Sequence, residues 1–369
     1  MKSSRAIRII TSLSVGVVAI ASISWLGLGQ VSGQISRTDV FANLKDRPEK
    51  TSQALNYLVV GSDNREGLTK EQIKALRVGS TKVAAGGRSD TMLLVHISKS
   101  RDSAYIVSIP RDTLVTVPAH RSQDGTRDIP PLPGKINAAY AFGGAPLLIQ
   151  TIEEKTNLQI DHYIEVSFAG FTGIVDALGG IEVCSKVAID DPKSHLVLAA
   201  GTHTLNGIEA LKYVRTRDFD GRGDIGRMER QQQFVGAVLR KATSTGVLLN
   251  PIKLTNFYNA AISSVKMDAG VTKNDLLTLA KQLRNLSSGN VRTLTVPISN
   301  PNGRHPTAGS VVIWDEVLAA NLWTKIRNDE ALLETVKPTA SASAKPVTID
   351  KFKTKTAADN PCAAIDSRA

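Results

Sequence analysis

Two apolar runs, TMLLVHIS at 91–98 and AYIVSI at 104–109, are separated by only five residues. That gap is too short for the helical crossover a parallel pair requires, so the two runs fit an antiparallel hairpin. A third β-rich run, NYLVV at 56–60, is closed by Gly61. Laid antiparallel beside the first arm of the hairpin, it brings three chain ends to one edge of a sheet. Those ends are Gly61-Ser62-Asp63, Arg88-Ser89-Asp90 and Pro110-Arg111-Asp112. Each end is charged and each middle is apolar, so the edge collects carboxylates and arginines while the middles supply core.

The remaining chain reads as helices mixed with strands. GSDNREGLTK forms a loop, and a mildly helical basic insertion leads to Gly86 and Gly87. Residues 120–134 are a Pro-rich loop, followed by helical segments at 135–144 and 146–158 with Pro146 in a first turn. A helix at 167–178 is stopped by Gly179-Gly180, and a strand follows at 181–188. Helices are expected at 205–214, 252–264 and 273–286, with a late strand at 291–296. His96 lies inside an apolar strand and reads as a packed core residue, and Lys135 and Asn137 read as a helix start. The fold class is α/β: a layered α/β/α domain over residues 52–335 with a central mixed, largely antiparallel sheet. Residues 29–51 read as a linker. From Val336 the chain turns to Lys, Ala, Ser, Thr and Pro, so 336–369 reads as a disordered tail.

Residues 9–28 are an uncharged, mostly apolar run of 20, roughly 30 Å as a helix and long enough to span a bilayer. Lys2, Arg5 and Arg8 precede it, which keeps residues 1–8 cytoplasmic and sends the body outside. The run is long for a cleaved signal, so a single-pass signal-anchor in the cell membrane is the expectation. The formal net charge is +11 with pI near 9.6, which favours a polyanionic partner. The extracytoplasmic position, and the lack of a helix-turn-helix or an aromatic stacking pattern, argue against nucleic acid. Cys184 and Cys362 leave two arrangements open, a disulfide tying the tail to the domain or two free thiols.

Residues 214–234, VRTRDFDGRGDIGRMERQQQF, hold five arginines and no lysine. Arginine presents a rigid fork that matches phosphate oxygens bidentately, so this cluster suits a built anion site better than a solvated basic face. Arg227, Gln231, Phe234 and Val238 fall on one helical face, polar at one end and apolar at the other. Aspartates among arginines suit a phosphate–magnesium site. Arg88, Asp90, Arg111, Arg217 and Arg227 form the core of that candidate site, while Arg222 and Arg230 read as surface charge.

GSDNR (61–65), RSDTMLLVHI (88–97), SIPRDT (108–113), KINAAYAFGG (135–144) and LNGIEALKYVRTR…GDIGRMERQQQ (205–233) closely resemble the LytR-CpsA-Psr family. The resemblance implies a phosphotransferase of cell-envelope assembly. It would move a glycan phosphate from a polyprenyl-pyrophosphate carrier to a peptidoglycan hydroxyl, using Mg2+ or Mn2+. On matching positions, Asp63 and Asp90 hold the metal. Arg65, Arg88, Arg111, Arg215, Arg217, Arg227 and Gln231 grip the pyrophosphate. Asp90, Arg111, Arg217 and Arg227 carry catalysis, and apolar residues of the sheet and helices enclose the polyprenyl tail. The alternatives are a non-catalytic protein that binds envelope polymer or polyprenyl phosphate, and a nucleic-acid-binding regulator.

Overall fold

The hairpin dictated by the short connection lies at the centre of an eight-stranded sheet. The structure, a computed structural model, describes residues 36–78, 89–242, 265–272, 275, 286, 288–336, 347–359 and 362. The strands are β1 (Ser36–Thr38), β2 (Leu55–Ser62), β3 (Ser89–Ile97), β4 (Ala104–Ile109), β5 (His162–Val166), β6 (Val265–Asp268), β7 (Val291–Thr295) and β8 (Lys355–Thr356). Their order is β1-β6-β5-β2-β3-β4-β7-β8. The central trio β2-β3-β4 is antiparallel, as expected. The sheet as a whole is more mixed than expected, because β1-β6, β5-β2 and β4-β7 are parallel pairs.

Six described helices cover or flank the sheet: α1 (Lys70–Leu76), α2 (Ile136–Thr156), α3 (Phe168–Ala177), α4 (Gly207–Arg215), α5 (Gly223–Ala242) and α6 (Glu316–Arg327). Strand alternation sends Leu58, Val60, Met92, Leu94, Val107 and Ile109 to one face, where they meet Ile136, Leu148, Ile149 and Ile152 of α2. Leu322, Trp323 and Ile326 of α6 close the same cluster. Tyr57, Leu93, Ile97 and Ile106 point to the other face and pack near Val235 and Leu239 of α5. Several helix ends are fixed by local side chains and backbone turns. Asn206 and Glu209 form a reciprocal capping box at the start of α4, and Ser167 caps α3. Gly144 sits at φ 64°, ψ −155°, a region open essentially to glycine alone, and breaks α2 just before Pro146. His96 is a core residue, 1% exposed, bonded to Asn56 Oδ1 and Asp329 Oδ1 at 2.8 and 3.1 Å. Burial holds its pKa below the ordinary imidazole value.

Three expectations differ from the structure. The 120–134 loop contains short strands at His120–Arg121, Asp128–Ile129 and Leu132–Lys135, the last pairing with Leu114–Val117. The 29–51 linker is partly built in: β1 pairs with β6, and Val40 is in the main core. The tail is corrected further. Val347–Ile349 pairs with Glu334–Val336, β8 adds to the sheet beside β7, and Phe352 joins the main core. Neither segment carries an apolar periodicity of its own, because each borrows hydrogen bonds from an existing strand edge. The expected helices at 252–264 and 273–286 and the apolar run at 9–28 lie outside the described residues, apart from 275 and 286. Among the described residues no helix is long and apolar enough to cross a membrane.

Cys184, on the strand Ile181–Ser185, is disulfide-bonded to Cys362 with a Cα–Cα distance of 5.6 Å. The bridge spans 178 residues and fastens the 347–362 segment to the domain. Replacing both cysteines by alanine should cost about 2–5 kcal/mol of stability. Urea unfolding under non-reducing conditions measures this, and an unchanged midpoint would rule out a stabilising role for the bridge.

Candidate functional site

The charged ends of β2, β3 and β4 meet as the hairpin argument requires. Ser62 pairs with Ser89 and Met92 with Ile109, so Asp63, Asp90 and Arg111 stand at neighbouring strand ends. Gly61 pairs with Thr91 while Ser62 pairs with Ser89, which leaves Asp90 as the extra residue of a β-bulge. Bulges of this kind re-aim a residue beside a site and are built features of a sheet. Arg88 lies outside the described residues, and Asp90 is located by its backbone alone.

Helix α5 begins at Gly223, earlier than the sequence pattern suggests, and places Asp224 in its first turn, where a carboxylate is favoured by the helix dipole. Asp224 is the residue that sequence reasoning missed. Arg217 Nε lies 2.7 Å from its Oδ1, Arg227 Nη2 3.4 Å from Oδ1, and Arg111 Nη2 3.6 Å from Oδ2. Three guanidiniums from a strand end, a turn and a helix thus converge on one carboxylate. Its signal in the sequence was only an aspartate three residues before Arg227, which is a common helix-surface spacing. Asp112 supports the same group, 3.5 Å from Arg111 Nε and 3.0 Å from Lys135 Nζ. Lys135 is indeed the N-cap position of α2, and it also lines the site.

These residues divide two cavities. One, of about 450 Å³, is walled by apolar side chains of β2, α3, α4 and α5, among them Val59, Phe171, Leu211, Phe234 and Val238. Asp63 and Arg215 stand at its wall, and the Arg215 guanidinium lies 5.2 Å from the Phe168 ring centroid. The other, of about 430 Å³, is a polar cleft lined by Asp112, Lys135, Arg222 and Asp224, with Asn302 and Ser310 from the hairpin Ile298–His305/Gly309–Trp314. Arg111, Arg217, Arg227 and Gln231 belong to both. The helical stripe is therefore arranged as its pattern indicates, with Arg227 and Gln231 at the partition and Phe234 and Val238 in the apolar wall. Gln231 Nε2 also donates to Val214 O at 3.1 Å, tying α5 to α4. Arg65 is not among the described residues lining either cavity.

The surface assignment holds for Arg222, whose partner Glu229 is 2.7 Å away and whose side chain is 50% exposed. It fails for Arg230. That side chain is 8% exposed, 2.8 Å from Asp220, bonded to Thr216 O at 2.7 Å and stacked near the Phe219 ring. The 216–220 turn folds over it, and burial of a helix arginine by a turn 10–14 positions earlier leaves no sequence periodicity.

The LytR-CpsA-Psr family model matches residues 30–328. The chain belongs to the LytR-CpsA-Psr family. It is 38% identical over 272 residues to the probable cell wall biosynthesis protein LcpB of Corynebacterium glutamicum, covering 74% of this chain and 61% of that protein. Against the cell wall biosynthesis protein LcpA of the same organism it is 31% identical, covering 83% of this chain and 62% of the relative. This family member thus spans about three fifths of the length of those curated relatives. It is also 34% identical over 54% of its length to a Bacillus cereus protein named polyisoprenyl-teichoic acid–peptidoglycan teichoic acid transferase TagU, covering 60% of that protein. Among solved structures, Bacillus subtilis TagV aligns with a TM-score of 0.57 and 26% identity, over 77% of this chain and all of that one. An Actinomyces oris LytR-Csp2A-Psr enzyme aligns with a TM-score of 0.58 at 22% identity, over 79% of this chain and 96% of that one, which shows the shared fold.

The two arginines separate by stability measurement. Arg230→Ala strands Asp220 in a largely buried position and should lower unfolding free energy by about 3 kcal/mol. Arg222→Ala, at an exposed pair, should change it by less than about 1 kcal/mol. Equal costs in urea unfolding would contradict the burial difference.

Proposed function

We propose that this LytR-CpsA-Psr protein transfers a glycan phosphate from a polyprenyl-pyrophosphate carrier to a peptidoglycan hydroxyl, on the outer side of the cell membrane. The observation that carries the reading is the partition itself. Arg111, Arg217, Arg227 and Gln231 stand between an apolar cavity and a polar cleft. A lipid-linked glycan has the same order of parts: an apolar tail, a pyrophosphate and a polar sugar. The names of the Corynebacterium and Bacillus relatives point to the same cell-wall chemistry.

Asp63 and Asp90 are the carboxylates that would hold a divalent ion. Asp63 lines the apolar cavity beside the arginines, and Asp90 stands on the adjacent strand end at the bulge. Two carboxylates next to a phosphate position are a donor set of the kind Mg2+ takes, with phosphate oxygens and water completing its shell. Held there, Mg2+ or Mn2+ would supply positive charge to offset that of the pyrophosphate and of the departing phosphate.

In the reaction the acceptor hydroxyl oxygen forms a bond to the phosphorus nearer the glycan. The bond from that phosphorus to the bridging oxygen breaks, and polyprenyl phosphate leaves. Arg111, Arg217 and Arg227 hold the phosphoryl oxygens and stabilise the charge that builds on the leaving group. Asp224 keeps these guanidiniums gathered before substrate arrives, so little reorganisation is needed on binding. The acceptor proton passes to a strand-end carboxylate, for which Asp90 is the candidate.

The test is turnover of a synthetic polyprenyl-pyrophosphate glycan with a peptidoglycan acceptor, using the full chain in detergent with and without Mg2+. Arg111→Ala and Asp90→Ala should each reduce turnover by about a hundredfold or more. Rates within threefold of wild type would overturn the site assignment. Tight binding without transfer or hydrolysis would instead identify a non-catalytic binding protein.

A further inference from the structure

Arg217 occupies a connection and not a helix or strand. Helix α4 ends at Arg215, its C-cap Thr216 leaves helical geometry at φ −58°, ψ 140°, and α5 starts only at Gly223. The direction of the Arg217 side chain therefore depends on what fixes the backbone of 216–218. Asp191 does so from a distant part of the sequence. It ends the short strand Ile189–Asp191 and is 1% exposed. Its Oδ2 accepts the main-chain N–H of Arg217 and, at 2.8 Å, that of Asp218. Its Oδ1 accepts the N–H of Lys193 at 2.9 Å and of Ser194 at 2.7 Å. Burial alone pushes the Asp191 carboxyl upward, but these four N–H groups outweigh it and hold the pKa at about 2. On the outer side Lys193 Nζ meets Asp218 at 2.6 Å. Lys193, Ser194 and Arg217 all line the apolar cavity, so the carboxylate fastens two parts of that wall to each other.

We propose that Asp191 is a positioning residue for Arg217, a buried carboxylate that sets the backbone of the arginine turn and thereby aims the guanidinium at the partition between the cavities. The inference rests on the reading of that partition as a pyrophosphate grip. No motif pairs Asp191 with the arginine stretch, since Asp191 and Arg217 are 26 positions apart with two strands and α4 between them. The carboxylate is needed for its acceptors. An asparagine of the same shape has one acceptor oxygen and an NH2 group, so one pair of N–H donors would face another donor. A buried clash of donors displaces the turn, and a misplacement of about 1 Å at a phosphate-gripping side chain can cost a hundredfold in rate.

The experiment is a double-mutant cycle on the full chain in detergent, reading binding of geranylgeranyl pyrophosphate by calorimetry. Geranylgeraniol, which lacks the phosphates, is the control ligand, and thermal unfolding reports folding. Asp191→Asn and Arg217→Ala should each weaken pyrophosphate binding tenfold or more, while leaving geranylgeraniol binding within twofold. In the Arg217→Ala background Asp191→Asn should cost less than a further twofold, because its effect passes through Arg217. Full additivity of the two losses, parallel loss of geranylgeraniol binding, or an unchanged pyrophosphate affinity in a folded Asp191→Asn protein would overturn the proposal. If Asp191→Asn does not fold, Asp191→Glu keeps the charge, moves the acceptors by one methylene, and is judged by the same outcomes. A wild-type chain that fails to bind the pyrophosphate would refute the partition reading itself and, with it, the assignment of Arg217.

Discussion

Three guanidiniums held around the Asp224 carboxylate are the arrangement on which the candidate site depends. Like charges brought this close inside a cleft repel strongly unless an anion stands among them. Asp224 meets that requirement from within the chain, at a helix start where negative charge is favoured. Each arginine arrives on a different element: Arg111 from the end of β4, Arg217 from a turn, Arg227 from α5. The pairing therefore joins the sheet edge to the arginine stretch, with Arg111 and Asp224 113 positions apart along the chain.

The rest of the architecture gives this cluster its two unlike neighbours. Helix α5 lies on the sheet through Val235 and Leu239, and Gln232 reaches Ser108 and Thr295 across the interface. That contact fixes the depth of the helix over the strand ends. Helices α3 and α4 then lean against Phe234 and enclose apolar volume on one side. The hairpin Ile298–His305/Gly309–Trp314 walls the polar side, and its partner contact runs through Thr113 just past Arg111. A boundary between apolar and polar volumes raises the strength of charge–charge interaction at the wall, because less water is present to screen it.

Much of this was legible because it is local. The strand-middle and strand-end pattern gave the antiparallel trio and the meeting of Asp63, Asp90 and Arg111 positions. The break at Gly144 and the polar-to-apolar stripe of α5 each follow from residues within a turn or two of one another. What failed in the reading was non-local. Arg230 looked like surface charge until the 216–220 turn closed on it. The segment 347–362 looked like a tail because its strands pair with edges formed elsewhere and its cysteine bonds to Cys184. Asp224 carried no pattern distinguishing it from Asp218 and Asp220, and Asp191 had no visible link to Arg217.

The sequence by itself determined the hairpin, the helix faces, the composition of the arginine stretch and the family to which the chain belongs. These depend on side-chain periodicity, turn chemistry and motif order, which are written within short spans. Only the tertiary structure decided which carboxylate sits among which arginines, and that the cluster divides an apolar cavity from a polar cleft. Those outcomes depend on how separate elements cross and how deeply each is buried, and no short span of sequence records the distance between two elements that meet only on folding.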